Sequence, residues 1–260
     1  YKHKKHAKFV YKNLSSHNVN ENYEVSNYNK LDNEILKDKK VAIFTCIVGR
    51  YDSIKEPLIV NEGFDYFLFT NNEEYNSKYW TIKPIPDEIM KLNNNTLINR
   101  YIKLHPHELF SEYDYCVYVD GNVSIISDIS SMILQSNCET GIAMHKHSVR
   151  NCIYLEAEAC KVLRKGNYKK LCDQVERYKK LGMPYKFGLL EATIIVTNIK
   201  NYKSRDILIK WWDELINSES LRDQISLPYI LWKNSYSMES IGILGNNLYN
   251  NPKIRVDSHK

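Results

Sequence analysis

Residues 41–48, Val-Ala-Ile-Phe-Thr-Cys-Ile-Val, form a near-continuous apolar run that constrains the fold more than any other feature of the chain. A strand that is apolar on both faces is typical of a parallel sheet covered by helices on each side. Shorter runs predict four more strands: 66–70, 115–119, 141–144 and 192–196. Helical periodicity marks five segments: 97–104, 128–135, 151–164, 205–217 and 222–232. This alternation predicts an α/β fold with a Rossmann-like, mostly parallel sheet flanked by helices.

Residues 41–260 are expected to form a single domain, because no Pro- or Gly-rich linker divides them. Residues 1–40 differ in composition, since they begin with a basic run and continue rich in Asn, Ser, Glu and Lys. We interpret them as a polar, basic extension. A solvated tail is the simpler interpretation of such a charge run, and peripheral contact with an anionic membrane surface is the alternative.

The formal net charge of +5 suits an anionic ligand but is too small to indicate nucleic acid as a partner. The six cysteines form no Cys-x-x-Cys pair, which favours a reduced, intracellular protein. No stretch approaches the roughly 20 apolar residues of a membrane span. We therefore expect a cytoplasmic protein, with the inner face of the membrane as an alternative location.

The predicted strand 115–119 ends in Asp120-Gly121-Asn122. Asp-Gly is common turn chemistry, whereas two oxygen ligands separated by one glycine can share a hard divalent cation. Ligands of open α/β sheets bind at the carboxyl ends of the strands. Further polar residues fall near such ends: Thr45, Asn71 and His145. This convergence favours the metal site over a simple turn.

Several segments, taken in order, resemble one protein family. They are 41–52 (VAIFTCIVGRYD), 66–71 (YFLFTN), 99–107 (NRYIKLHPH), 113–122 (YDYCVYVDGN), 145–147 (HKH) with 150–156 (RNCIYLE), and 222–224 (RDQ). Over roughly residues 41–240 they resemble the glycosyltransferase-like family once catalogued as domain of unknown function 616. The resemblance implies a GT-A-like fold in which one sheet holds a nucleotide sugar and a divalent cation, Mn²⁺ or Mg²⁺, binds its diphosphate.

The resemblance assigns the cation to Asp120 and Asn122, with Asp120 also facing the ribose. A nucleotide sugar contributes diphosphate oxygens, so the protein needs to offer few ligands. Asn in the second ligand place lowers the negative charge available to the metal. His259 is the expected C-terminal ligand, with a polar tail as the alternative.

Five further residues are expected near the donor. Thr45 would face the base or the ribose, with an ordinary strand threonine as the alternative. Arg100 is the expected diphosphate contact, because Arg binds phosphate in a bidentate manner. Lys103, one helical turn later, could share this contact, and a solvated helix face is the alternative for both. His145 and Glu156 are expected to contact the nucleotide sugar.

Three residues are expected to act in catalysis. Glu191 precedes a predicted strand, and a carboxylate there could accept the proton of an acceptor hydroxyl. The resemblance places Asp223 and Gln224 beside the anomeric carbon, whereas an Asp at a helix start could equally be a cap.

The expected function is sugar transfer from a nucleotide sugar, UDP-linked by preference, to a glycan or lipid-linked saccharide, in surface polysaccharide synthesis. The alternative is a non-catalytic module that binds carbohydrate or nucleotide, since twenty tyrosines and four tryptophans suit sugar stacking. A nucleotidyltransferase is disfavoured, because the first strand is not followed by a Gly-rich phosphate loop.

Overall fold

The apolar runs form the strands of one central sheet in the computed structural model, which describes residues 30–258. All seven residues of the first strand are buried, as its apolar run requires. Within the described residues the strands are β1 (Val41–Ile47), β2 (Phe64–Thr70), β3 (Thr81–Pro84), β4 (Tyr115–Val119), β5 (Val123–Ile125), β6 (Ile142–Lys146), β7 (Leu190–Asn198), β8 (Gly242–Gly245) and β9 (Ile254–Val256).

Helices connect the strands and cover the sheet. In chain order they are α1 (Lys30–Leu36), α2 (Asp87–Met90), α3 (Asn95–Leu104), α4 (Pro106–Leu109), α5 (Ser130–Leu134), α6 (Ile153–Val162), α7 (Tyr168–Lys180), α8 (Tyr202–Ser218) and α9 (Asp223–Lys233). Three of them begin after an asparagine whose side chain accepts hydrogen bonds from the first turn: Asn94, Asn167 and Asn201. These caps fix where α3, α7 and α8 start.

The sheet has the order β3-β2-β1-β4-β7-β6-β8. Every strand in it runs in one direction except β7, which is antiparallel to its neighbours β4 and β6. The predicted α/β fold with a mostly parallel sheet flanked by helices is thus confirmed.

The reversed direction of β7 brings its first residues to the edge where the parallel strands end, which we call the strand-end edge. There the backbone N–H of Asp120 donates to the carbonyl of Thr193 at 2.9 Å. Glu191 lies opposite His145 on the neighbouring strand. Residues from β4, β6 and β7 therefore meet where ligands of open α/β sheets bind.

Strands β5 and β9 pair separately from the main sheet, with Val123 opposite Val256. The N–H of Asp257 donates to the carbonyl of Asn122 at 2.9 Å, so the end of the described chain lies beside the Asp-Gly-Asn segment. His259 lies outside the described residues. Residues 1–29, which include the basic run, also lie outside them.

The side chains of β1 alternate between two apolar clusters, one on each face of the sheet. Phe44 packs with Ile102 and Trp211 on one face. Ile43 packs with Leu68 on the other. Because both clusters are built on the same strand, they stabilise one structural unit.

Helix α1 belongs to the stretch predicted as a polar extension. Leu36 is 2% exposed and packs in the apolar cluster of Ile43 and Leu68, and Asn33 accepts a hydrogen bond from the Ser130 hydroxyl. The boundary at residue 40 and the membrane contact stay predictions. None of the helices in the described part of the chain is long and apolar enough to cross a membrane.

Helix α7 was not among the helices expected from the sequence. Most of its side chains are polar, and its buried apolar positions are reduced to the stripe of Leu171, Val175 and Tyr178. This i, i+4, i+7 spacing is helical, but three apolar residues among so many charges give a weak signal.

Candidate active site

Four charged side chains meet at the strand-end edge: Arg100, Lys103, Asp120 and Asp223. Nζ of Lys103 lies 3.0 Å from Oδ2 of Asp223 and 3.5 Å from Oδ1 of Asp120. Nε of Arg100 lies 3.0 Å from the same Oδ2 of Asp223. We call these four residues the ion-pair cluster. Its two positive and two negative formal charges cancel.

Three elements position this cluster. Arg100 and Lys103 are three residues apart on α3 and therefore share one face of the helix. Asp120 directly follows β4, and Asp223 is the first residue of α9. Oδ1 of Asp223 accepts the N–H of Gln224 at 3.1 Å while Oδ2 accepts from Lys103. Asp223 thus contacts both the first turn of α9 and the ion-pair cluster. The N-cap position is Arg222, which makes no side-chain cap, and the place of Asp223 beside the anomeric carbon stays a prediction.

The cluster has a buried side and an accessible side. Lys103 and Asp223 expose 1% and 4% of their side chains, whereas Arg100 and Asp120 expose 18% and 29%. Burial by itself would raise the pKa of Asp223, but Arg100 and Lys103 hold that pKa well below its usual range. Burial opposes the charge of Arg100 too, yet Asp223 and Asp120 raise its pKa. Asp223 is therefore ionised and Arg100 protonated at neutral pH.

Neutral polar groups hold the accessible side in place. The Tyr118 hydroxyl donates to Oδ1 of Asp120 at 2.9 Å. Nδ2 of Asn99 donates to the Tyr118 hydroxyl at 3.1 Å and to the carbonyl of Cys46 at 2.9 Å. Nη1 of Arg100 donates to Oδ1 of Asn99 at 2.7 Å. This chain of hydrogen bonds fixes Arg100 and Asp120 relative to the end of β1.

The expected divalent cation does not fit the donor set of the described residues. Oδ1 of Asp120 already accepts from Tyr118 and lies 3.5 Å from the Lys103 ammonium. Asn122 is 7% exposed, and its Nδ2 donates to the carbonyl of Asp257 at 2.8 Å. Within residues 30–258 no three His, Cys, Asp or Glu side chains are grouped as metal ligands. Mn²⁺ or Mg²⁺ binding by Asp120, Asn122 and His259 stays a prediction.

A second group of polar side chains lies at the starts of β7 and α6. Nε2 of His147 lies 3.5 Å from Oε2 of Glu156 and 3.6 Å from Oε1 of Glu191. Nε of Arg150 donates to Oε2 of Glu156 at 2.6 Å, and Nη2 of Arg150 lies 3.1 Å from Nε2 of His147. We call these four residues the carboxylate–histidine cluster. All four are buried.

The two carboxylates of this cluster have different electrostatic environments. Burial raises the pKa of Glu191 above its ordinary value of 4.5. Burial acts in the same direction on Glu156, but His147 and Arg150 outweigh it and lower its pKa to about 2. Neighbouring carboxylates whose pKa values are driven apart are typical of sites that transfer protons.

The start of α9 joins the two clusters. Asp223 faces the ion-pair cluster, whereas Nε2 of Gln224 donates to Oε2 of Glu191 at 2.5 Å. Nη2 of Arg222 donates to Oε1 of Gln224 at 3.1 Å and lies 3.6 Å from Oε1 of Glu156. The structure therefore brings Glu191, Asp223 and Gln224 into one continuous network. Their catalytic roles stay predictions.

Two of the expected donor contacts lie outside both clusters. Thr45 is 4% exposed within β1, and its Oγ1 has no hydrogen-bond partner in the described part of the chain. His145 was expected after the fourth predicted strand but lies within β6, because that strand extends to Lys146. Its Nε2 pairs with Nδ2 of Asn251 at 2.8 Å, and burial lowers its pKa to about 4. Their contact with a nucleotide sugar stays a prediction.

Two residues of these clusters are more central than their sequence context indicated. Lys103 was expected to be less important than Arg100, yet it is the more deeply buried cation. His147 was not selected, although it lies between Glu156 and Glu191. The spacing of Arg100 and Lys103 was the available signal, but the same spacing is common on solvated helix faces.

Comparison with known protein families assigns the chain to one of them. Residues 72–251 match the family described as "TOD1/MUCI70, glycosyltransferase-like domain". The chain belongs to this family. Both clusters fall within the matched residues, whereas Thr45 lies before them. The match also confirms the resemblance to a glycosyltransferase-like family.

Three solved structures similar to the chain are glycosyltransferases. The apo bifunctional glycosyltransferase WbbM has 14% identity and a TM-score of 0.47, and the match covers 80% of this chain and 39% of that one. Apo mouse xyloside xylosyltransferase 1 has 9% identity and a TM-score of 0.46, covering 79% and 85%. Galactosyltransferase LgtC, with donor and acceptor sugar analogs, has 11% identity and a TM-score of 0.43, covering 79% and 72%. No curated protein sequence matches the chain.

Proposed function

We propose that the protein transfers a sugar from a UDP-linked donor to a saccharide acceptor. The family match supports the glycosyltransferase class. The observation that carries the proposal is the continuous network at the strand-end edge. It joins the Arg100 guanidinium, which is suited to bind a diphosphate, to the Glu191 carboxylate, whose pKa is raised. A glycan or lipid-linked acceptor and a role in surface polysaccharide synthesis belong to the same proposal.

The ion-pair cluster would bind the donor. The Arg100 side chain is 18% exposed, and its guanidinium can offer paired N–H groups to the diphosphate. Asp120 is the most exposed carboxylate of the cluster, and its oxygens can accept a ribose hydroxyl. Positive charge held near the leaving diphosphate stabilises the negative charge that develops on it.

The carboxylate–histidine cluster would act on the acceptor. The acceptor hydroxyl oxygen forms a bond to the anomeric carbon, and the bond from that carbon to the diphosphate oxygen breaks. Glu191 takes the hydroxyl proton, and UDP leaves with the electron pair of the broken bond. Burial makes the Glu191 carboxylate a stronger base than an exposed glutamate, and the hydrogen bond from Gln224 fixes its orientation.

The first test is ligand-dependent thermal stabilisation by UDP, GDP and their common sugars. A nucleotide at about 100 times its Kd should stabilise the fold by roughly 2.7 kcal/mol. We expect UDP and one UDP-sugar to act, followed by UDP release when an acceptor is added. Arg100→Met should weaken UDP binding about tenfold or more, whereas Arg205→Met, which removes an exposed arginine of α8, should not.

Two results would contradict the proposal. Stabilisation by glycans with no response to any nucleotide would favour the non-catalytic carbohydrate-binding module. UDP binding that is equally strong in the Arg100→Met variant would place the nucleotide elsewhere on the molecule.

A further inference from the structure

We propose that the Lys103 ammonium, which lies between Asp120 and Asp223, takes the role of the metal ion at this site. Donor binding then requires no divalent metal. The inference rests on the proposed function, because it concerns how the same site binds UDP. Lys103 would be a positioning residue, and Arg100 would make the direct diphosphate contact.

The first support is the burial of Lys103. Its side chain is 1% exposed, and its Nζ also lies 4.9 Å from the centre of the Tyr118 ring. A buried ammonium is strongly unfavourable unless carboxylates and hydrogen bonds compensate it. Asp120 and Asp223 provide that compensation from chain positions 17 and 120 residues away. The folded chain therefore holds this positive charge between the two carboxylates at the strand-end edge.

The second support is the charge balance. The two carboxylates of the ion-pair cluster are matched by Lys103 and Arg100, so the cluster is formally neutral before any ligand binds. A divalent cation at Asp120 would add two positive charges close to the ammonium. Repulsion between like charges is strongest where water is excluded, as it is around Lys103.

The third support is Asn122, which occupies the position expected for the second metal ligand. Asn122 contributes no negative charge, and its Nδ2 is held by the carbonyl of Asp257. Asp257 itself is paired with Lys55 and Arg255, at 3.9 and 3.2 Å. Asp120 is therefore the one carboxylate that the Asp-Gly-Asn segment offers, and Lys103 already contacts it.

These contacts indicate how Lys103 would assist binding of the nucleotide sugar. By engaging Oδ1 of Asp120, together with the Tyr118 hydroxyl, it orients the carboxylate so that Oδ2 can accept a donor hydroxyl. By pairing with both carboxylates, Lys103 also weakens their repulsion of a diphosphate bound at Arg100.

The test is UDP binding by isothermal titration calorimetry to metal-stripped protein, in EDTA and in millimolar Mn²⁺ or Mg²⁺. We expect Kd values for UDP that agree within about twofold. UDP binding that is tenfold or more tighter with metal would overturn this inference while leaving the proposed function standing. Absence of UDP binding under every condition would overturn both.

Variants of Lys103 add a readout that a purely structural residue would not change. Lys103→Met should weaken UDP binding in EDTA at least tenfold, and Mn²⁺ should restore part of it, because Asp120 is then free to bind the ion. Lys210→Met removes a half-exposed lysine of α8 and should change neither value. Unchanged UDP binding by Lys103→Met in EDTA would overturn the inference.

Lys103→Met could fail to fold, because it leaves two carboxylates close together without their ammonium. The double variant Lys103→Met/Asp223→Asn removes one charge of each sign and keeps the balance of the cluster. It should also gain a dependence of UDP binding on Mn²⁺ that the wild-type protein lacks. Metal-independent binding by this folded variant, at wild-type strength, would overturn the inference.

Discussion

At the residue scale, environment separates two glutamates that look alike in the sequence. Glu156 and Glu191 are both buried and both contact His147. Arg150 compensates Glu156 and keeps it ionised, whereas burial dominates at Glu191 and raises its pKa. Glu156 is suited to hold His147 and Arg150 in place, and Glu191 is suited to accept a proton.

We expect Glu191→Gln to lower kcat by about 10²–10⁴-fold, the usual contribution of a general base. In the wild-type enzyme, kcat/KM should fall as the pH decreases through the raised pKa of Glu191, because the base must be ionised to act. This decline should lie above the ordinary glutamate value of 4.5. The measurement is the pH profile of kcat/KM for the acceptor, from initial rates of UDP release with saturating donor and acceptor below its KM.

The matched control for this variant is Glu158→Gln, which changes an exposed glutamate on α6. It should keep both the wild-type rate and the wild-type pH profile. An unaltered acidic decline in Glu191→Gln would assign the titrating group to another residue.

At the element scale, the direction of β7 and the start of α9 assemble the site. An antiparallel β7 puts Glu191 at the strand-end edge, where a parallel strand would have put the other end of the segment. The first turn of α9 then places Asp223 in the ion-pair cluster and Gln224 against Glu191 of the carboxylate–histidine cluster. Small changes in how these elements pack should therefore affect both clusters.

Strand β8 provides a test of such packing. A Cβ added at Gly242 would lie 2.0 Å from the backbone carbonyl oxygen of Gln135, which no side-chain rotation can relieve. We expect Gly242→Ala to lower the free energy of unfolding by about 3 kcal/mol or more. Urea denaturation followed by circular dichroism measures it.

Gly182→Ala is the comparison for this substitution. Gly182 has φ +93°, and nothing lies within 4 Å of the added Cβ, so the variant carries only the backbone penalty of roughly 1–2 kcal/mol. Equal losses in the two variants would show that β8 can move away from the end of α5 at little cost.

At the scale of the whole molecule, buried ionisable groups make the fold sensitive to acid. Burial lowers the pKa of His145 from 6.5 to about 4, so the unfolded chain takes up this proton at a higher pH than the folded one. Glu156 and Asp223 have lowered pKa values, and they lose their stabilising ion pairs at still lower pH. Stability should therefore decline in two stages below neutral pH.

The first stage can be assigned with His145→Gln. Between pH 6.5 and pH 4 the wild-type protein should lose about 3 kcal/mol more of its free energy of unfolding than the variant does. Urea denaturation at several pH values in this interval measures the difference. Parallel curves for the two proteins would show that His145 is protonated in the folded state well above pH 4.

Local sequence patterns determined the main strands of the sheet, several of the helices that cover it, and the α/β class. The apolar run that became β1, the shorter runs of β2 and β4 and the periodicity of α3 and α9 depend on neighbouring residues, so local patterns were enough to predict them. Family resemblance added the general activity and pointed to Arg100 and Asp120. The alternation of strands and helices predicted that Asp120 would lie at the carboxyl ends of the strands, near Thr45 and His145.

Only the tertiary structure decided the direction of β7 and the pairing within the two clusters. Lys103 meets Asp223 across 120 residues of chain, and whether a helical lysine is solvated or buried depends on what packs above it. The pKa difference between Glu156 and Glu191 arises in the same way, from groups contributed by separate elements. Charge interactions and burial depend on distances in the folded chain, which local sequence patterns do not contain.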